Sequence, residues 1–292
     1  MAKRSTTRAT RTRSGPEPGI IDTSVPHPAR LHDHLLGGTD NFDVDRAAAE
    51  RAFALFPGGL PAARANALAG RTFLVRVVQY LVREAGLRQF LDIGSGVPTA
   101  NNVHEVAQRV APECRVLYVD NDPIVLAHAH QLEDGTSEGE SRYLVGDLRD
   151  PDAILRRAAP TLDLAEPVGI LLSGVLHFVP DEDGPYGAVA RLVEGVVPGS
   201  WLALSHLAAD IRPDEVAKTA AVLNESLPTP LTPRDRDAVA GFFEGLVLVE
   251  PGVVPVDEWR PDIDEAGVGA TAGLDVAEGA ETVLLAAVGS KP

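Results

Sequence analysis

The chain has one cysteine, one methionine and only three lysines in 292 residues. A single cysteine, Cys114, permits no internal disulfide and no cysteine-rich zinc site, and this usage fits a reducing, cytoplasmic setting. Cys114 sits just before a predicted strand and reads as a small buried hydrophobe. No apolar run reaches the ~18 residues of a membrane span, and no signal-type segment follows the N-terminus, so no membrane partner is expected. Positive charge is scarce too. Against 26 Lys and Arg stand 42 Asp and Glu, leaving a net charge of −16. Nucleic-acid binding needs dense Lys and Arg, so no nucleic-acid partner is expected. The basic residues are also unevenly spread: Lys3, Arg4, Arg8, Arg11 and Arg13 give the first 14 residues +5 with no acid.

Hydrophobic residues make up 45% of the chain, enough for a sizeable core. Residues 1–19 form a polar, basic tail expected to be disordered. Residues 20–86 read as helical. Two short helical patterns are broken by Gly37-Gly38, and Asp43 or Asp45 is placed to cap the second. A longer amphipathic helix follows over 62–85, where Leu68, Phe73, Leu74, Val77, Val78 and Leu81 recur at helical spacing.

From residue 87 the pattern changes. Apolar strands at 89–93, 115–119, 142–145, 168–172 and 201–205 alternate with helices at 100–110, 123–132, 152–158 and 185–196. Asp122-Pro123 and Asp150-Pro151 are N-cap and N1 pairs. Strands apolar throughout and alternating with helices predict a mostly parallel sheet buried on both faces. Helices at 213–226 and 234–243 lead to strand 246–250, a long excursion, and a last strand at 282–288. Two closing strands without a helix between them predict an antiparallel edge.

The first strand runs into "FLDIGSGVPT". Gly94-x-Gly96 follows it directly, a turn that lets backbone N–H groups approach a ligand at the carboxyl end of the sheet. The third glycine of the dinucleotide fingerprint is replaced by Thr99 after Pro98, which crowds the approach of a pyrophosphate. Asp92 adds negative charge close by. Asp120 ends the second strand 24 residues after Gly96, where a carboxylate accepts ribose hydroxyls. Asp147 stands at the end of the third strand, within reach of an adenine amino group. Acids at three successive strand ends, without room for phosphate, favour a cationic nucleoside such as S-adenosylmethionine over NAD. His27, His32 and His34 lack a matched acid cluster, so no metal is expected.

With these motifs the chain resembles the class I S-adenosylmethionine-dependent methyltransferases. "LDIGSG", "YVDND" and "GDLRDP" match that superfamily's cofactor motifs in order and spacing over about 88–292. More closely, "PARLHDHLLGGTDNFDVDRAAAE", "GVLHFVPDED" and "WRPD" resemble a bacterial family labelled S-adenosyl methyltransferase, long catalogued as a domain of unknown function. The resemblance implies a Rossmann-like, seven-stranded sheet of order 3-2-1-4-5-7-6 over 87–292, capped by the helices of 20–86. It implies S-adenosyl-L-methionine as cofactor, with Gly94, Ser95 and Gly96 at its methionine part, Asp120 and Asn121 at the ribose, and Asp147 and Leu148 at the adenine. Ser173 and Gly174 would stand where an acceptor meets the sulfonium. His177 occupies the place of a base in some small-molecule O-methyltransferases. Around the Gly37-Gly38 hinge stand Arg30, Asn41, Asp45 and Arg46, and an arginine there would hold the cofactor carboxylate. Trp259 reads either as a wall of the acceptor pocket or as packing.

The function expected is methyl transfer to an oxygen, nitrogen or carbon of a small-molecule acceptor. The alternatives are a non-catalytic cofactor-binding sensor or partner protein, and an NAD-dependent oxidoreductase. The acceptor, any general base and the oligomeric state are not legible in the sequence.

Overall fold

The computed structural model describes residues 21–56, 58–99, 101–129, 136–263 and 277–292. The basic tail expected over 1–19 lies outside the described residues, as does 264–276 of the long excursion.

Five strands form the parallel body of one sheet: β1 (Gln89–Ile93), β2 (Arg115–Asp120), β3 (Glu140–Val145), β4 (Gly169–Ser173) and β5 (Trp201–Leu207). Three more lie at one edge: β6 (Val247–Leu248), β7 (Val254–Pro255) and β8 (Leu284–Ser290). The order is β3-β2-β1-β4-β5-β8-β6, and β8 runs antiparallel to β5, β6 and β7. This is the expected order with one renumbering. The two-residue β7 intervenes, so the last strand is the eighth instead of the seventh.

The sheet is buried on both faces because its strands are apolar on both. In β2, Val116 and Tyr118 face one core, while Leu117 and Val119 face the other. Leu91, Leu117, Ile170 and Leu172 are within 1% of full burial, each worth about 1.5–3 kcal/mol relative to exposure. One face is covered by α3 (Gly59–Arg83) and α4 (Val103–Val110), the other by α6 (Pro151–Ala158) and α7 (Pro185–Glu194). The expected caps are present. Asp150 Oδ1 accepts from Ala153 N at 3.0 Å, and Asp122 Oδ1 accepts from Ile124 N at 3.0 Å at the start of α5 (Pro123–Ala129). Trp259 is packing. It is fully buried and meets Phe73 and Tyr80 edge-on at 5.5 and 5.7 Å, away from any cavity.

Helices α1 (Pro28–Leu35) and α2 (Asp43–Phe53) lie over the carboxyl end of the sheet with α8 (Pro213–Asn224). Asp45 Oδ2 reaches back to Phe42 N at 2.9 Å and so closes the first turn of α2. The long α3 belongs to two regions. Ala62, Ala63 and Ala67 pack with Leu35, Phe56 and Val216. Phe73, Val77, Val78 and Leu81 pack on the sheet with Phe90 and Ala203. A small α9 (Arg236–Ala240) precedes the edge strands.

Candidate functional site

A cavity of about 290 Å³ opens at the carboxyl ends of the parallel strands, where the strand order reverses beside β1. Open α/β sheets place their ligands there. The chain gives this cavity two chemically different ends.

At the strand end, Gly94 and Gly96 have φ of +73° and +68°, the left-handed region that suits glycine. A Cβ on Gly94 would lie 2.4 Å from Val175. Gly96 N donates to Asp120 Oδ2 at 2.8 Å, and Asp122 N donates to Asp120 Oδ1 at 2.9 Å. The turn after β1 and the carboxylate ending β2 therefore hold each other. Burial pushes the Asp120 carboxyl above its usual range, and these two N–H donors oppose the shift. Ser95 Oγ is buried beside them with no hydrogen-bond partner.

Helix α4 starts at Val103, later than the expected 100. Thr99 N donates to Asn102 Oδ1, and Asn102 N donates to Glu105 Oε2, both at 3.1 Å, so the capping interactions settle the start there. A loop, not a helix N-terminus, meets the cavity beyond Gly96. That fits the missing third glycine.

Asn121, Asp147, Leu148 and Ser173 line the cavity with Gly94, Ser95, Gly96 and Asp120. Asp147 is partly committed: Arg149 Nη1 bonds its two oxygens at 3.2 and 3.1 Å, and Arg149 also reaches Asp183 at 2.6 Å. Ser173 Oγ pairs with Ser205 Oγ at 3.0 Å.

Asp92 and Arg71 complete this end. Asp92 is buried, and desolvation pushes its carboxyl up to about 7, with Asp120 adding to the rise and Arg71 opposing it. Arg71 was not singled out in the sequence, although a signal existed. It falls with Ala63, Ala67 and Leu74 on one helical face, a charge inside an apolar stripe.

Asn41 and Arg46, by contrast, do not reach the cavity wall. Asn41 Nδ2 donates to Asp33 Oδ2 at 2.7 Å and to Gly38 O at 2.9 Å, and its Oδ1 accepts from Arg46 Nη1 at 2.7 Å. Arg46 also pairs with Asp43. Arg30 is buried and faces Asp122 at 3.3 Å and Asp45 at 3.7 Å. These groups fasten the helices around the glycine hinge, and the arginines that line the cavity are Arg71 and Arg149. Among the described residues, no group of three or more His, Cys, Asp or Glu could hold a metal ion.

The other end is apolar. Val216, Thr219, Ala220 and Leu223 form one face of α8 and line it, opposite Leu31 and Leu35 of α1. Thr219 Oγ1 is buried in this wall without a partner. Two imidazoles stand between the ends. His177 Nδ1 accepts from Leu207 N at 3.3 Å, which assigns its hydrogen to Nε2. Burial, with the nearby charges of His206, His32 and Arg234, holds His177 well below the usual histidine range. His206 behind it accepts from Arg234 at Nε2 (2.9 Å) and donates from Nδ1 to Leu207 O (2.9 Å). His32 projects from α1 into the same cavity, and its ring makes no hydrogen bond with any described residue.

Comparison with known proteins agrees with this geometry. The family model described as S-adenosyl methyltransferase matches residues 14–292. A crystal structure of a DUF574 family protein from Streptomyces avermitilis is 41% identical with a TM-score of 0.83, covering 94% of this chain and 100% of that one. A putative methyltransferase from Thermobifida fusca is 37% identical with a TM-score of 0.81, covering 94% and 98%. No curated protein matches the chain. The chain belongs to the S-adenosyl methyltransferase family, an enzyme family whose methyl donor is S-adenosyl-L-methionine.

Proposed function

We propose that the enzyme methylates a small molecule held between α1 and α8, with S-adenosylmethionine along the strand ends. The observation that carries this reading is the cavity at the strand ends, which runs from the Asp120 carboxylate to an apolar wall formed by α1 and α8 and is of a size that suits a small molecule. The residues present fit the cofactor. Asp120 offers a carboxylate to ribose hydroxyls, the unpartnered Ser95 hydroxyl suits a polar amino-acid head, and the positive-φ glycines leave space for close backbone approach.

In this reading Gly94, Ser95 and Gly96 face the methionine part, Asp120 and Asn121 the ribose, and Asp147 and Leu148 the adenine. Arg71 and Asp92 supply the charges at the amino-acid head. S-adenosylmethionine supplies the methyl group and leaves as S-adenosylhomocysteine. The protein's own part is positioning and water exclusion, which dominate an in-line displacement. Helices α1 and α2 and the start of α3 act as the lid, together with α8. His177 presents an N–H donor to the acceptor, a role that suits orientation better than proton removal.

Two experiments test this. Asp120→Ala weakens S-adenosylhomocysteine binding by about 1–3 kcal/mol, the cost of unpaired hydroxyls, read by calorimetry. Unchanged affinity would remove Asp120 from the ribose. Incubating the enzyme with methyl-labelled S-adenosylmethionine and cell extract places label in the small-molecule fraction. Label confined to protein or nucleic acid would refute the acceptor class.

A further inference from the structure

The acceptor end of the cavity carries more information than its apolar character. Its walls come from α1, α3, α8 and the loop after α8. Every cavity carboxylate, Asp92, Asp120 and Asp147, lies at the strand ends. Two arginines line the cavity: Arg71 is buried beside Asp92, and Arg149 is held at the strand end by Asp147 and Asp183. No charged side chain therefore lines the cavity between α1 and α8 among the described residues. An ammonium or carboxylate group there would be desolvated without a counter-ion, at a cost of several kcal/mol. The wall selects an uncharged molecule.

The two imidazoles present different faces to it. His177 shows an N–H, because its other nitrogen accepts from Leu207 N. The His32 ring makes no hydrogen bond with any described residue and lines the cavity. Its ring therefore keeps a lone pair for a ligand. Burial and the charge of Arg71 lower its pKa to about 4, so the ring stays neutral at physiological pH. A donor and an acceptor of hydrogen bonds lining one cavity match a hydroxyl, which is both.

We propose that the acceptor is an uncharged, apolar hydroxy compound, methylated on oxygen, and that His32 takes the hydroxyl proton. This rests on the small-molecule reading above. The acceptor oxygen forms the new C–O bond as the S–CH3 bond breaks, and that bond's electron pair remains on sulfur. The proton passes from oxygen to a His32 nitrogen and then to water. An oxygen gaining a methyl group becomes a far stronger acid than imidazolium, so even a weakly basic imidazole accepts its proton.

The test uses the full chain and a matched probe panel: 1-naphthol, 2-naphthol and alkylphenols, with their aminomethyl and carboxylate analogues. Calorimetry on the S-adenosylhomocysteine complex reads binding, and mass spectrometry with S-adenosylmethionine reads transfer. The neutral hydroxy probes bind and yield methyl ethers, while the charged analogues do neither. His32→Ala lowers kcat about a hundredfold or more, leaves S-adenosylhomocysteine affinity unchanged, and regains rate when free imidazole is added. A residue that only shapes the wall would not respond to imidazole. Binding restricted to charged analogues, no binding of any hydroxy probe, or a His32→Ala enzyme of parental kcat would overturn the inference. Methylation of macromolecules alone would instead overturn the small-molecule reading on which it rests.

Discussion

The two ends of the cavity are built in opposite ways. The strand end is assembled from turns that directly follow β1, β2, β3 and β4, and its groups are fixed by backbone: Asp120 by two N–H donors, Gly94 by Val119 O at 2.8 Å. The apolar end is assembled from helices distant in sequence, α1 near residue 30 and α8 near residue 220, held by apolar contact. The first arrangement is rigid and polar. The second is adaptable, because side-chain volume and not hydrogen-bond geometry shapes it.

The largest expected effect breaks the rigid end. Gly94→Ala puts a Cβ against Val175 and forces alanine into positive φ. It costs roughly 2–4 kcal/mol of stability, read as a fall in denaturation midpoint. Adding Val175→Ala removes the clash but leaves the backbone strain, so about half returns. Full recovery would mean that the turn is not strained for other residues.

Asp92 sharpens the comparison through pH. With its carboxyl raised to about 7, the folded protein keeps a proton that the unfolded chain loses near 3.8. Between those values rising pH therefore lowers the stability of the ligand-free fold. A cation bound nearby favours the carboxylate, so binding expels the proton. Affinity for S-adenosylmethionine then rises with pH up to about 7, by at most about tenfold per unit, and levels off. Asp92→Asn flattens the profile. Binding of uncharged acceptor probes stays level across the same range.

The smallest effect lies outside both ends. Arg46→Ala removes a pair with exposed Asp43 and the hydrogen bond to Asn41 Oδ1, and costs about 1–2 kcal/mol of stability. S-adenosylhomocysteine affinity stays within twofold in calorimetry. A tenfold loss would return Arg46 to the cofactor's carboxylate.

Local chemistry made the strand end legible in sequence. Glycines after an apolar run, acids at strand ends and Asp-Pro helix starts each act within a few residues, so order and spacing carried them to the correct places. The alternation of strands and helices likewise determined a mostly parallel sheet with an antiparallel edge. The start of α4 was missed because Asn102 and Glu105 set it through their side chains, against the simpler expectation of a helix directly after the turn.

Only the tertiary structure decided which arginine and which histidine face the cavity. Arg30, Arg46 and Arg71 have equal charge in the sequence. Packing tied the first two into the helices around Gly37-Gly38 and turned the third inward beside Asp92. His32 and His34 are two residues apart, and helical geometry sent only His32 into the cavity. A residue's type fixes what it can do. Which neighbours it loses or gains on folding depends on segments that meet only when the sheet and its lid are assembled.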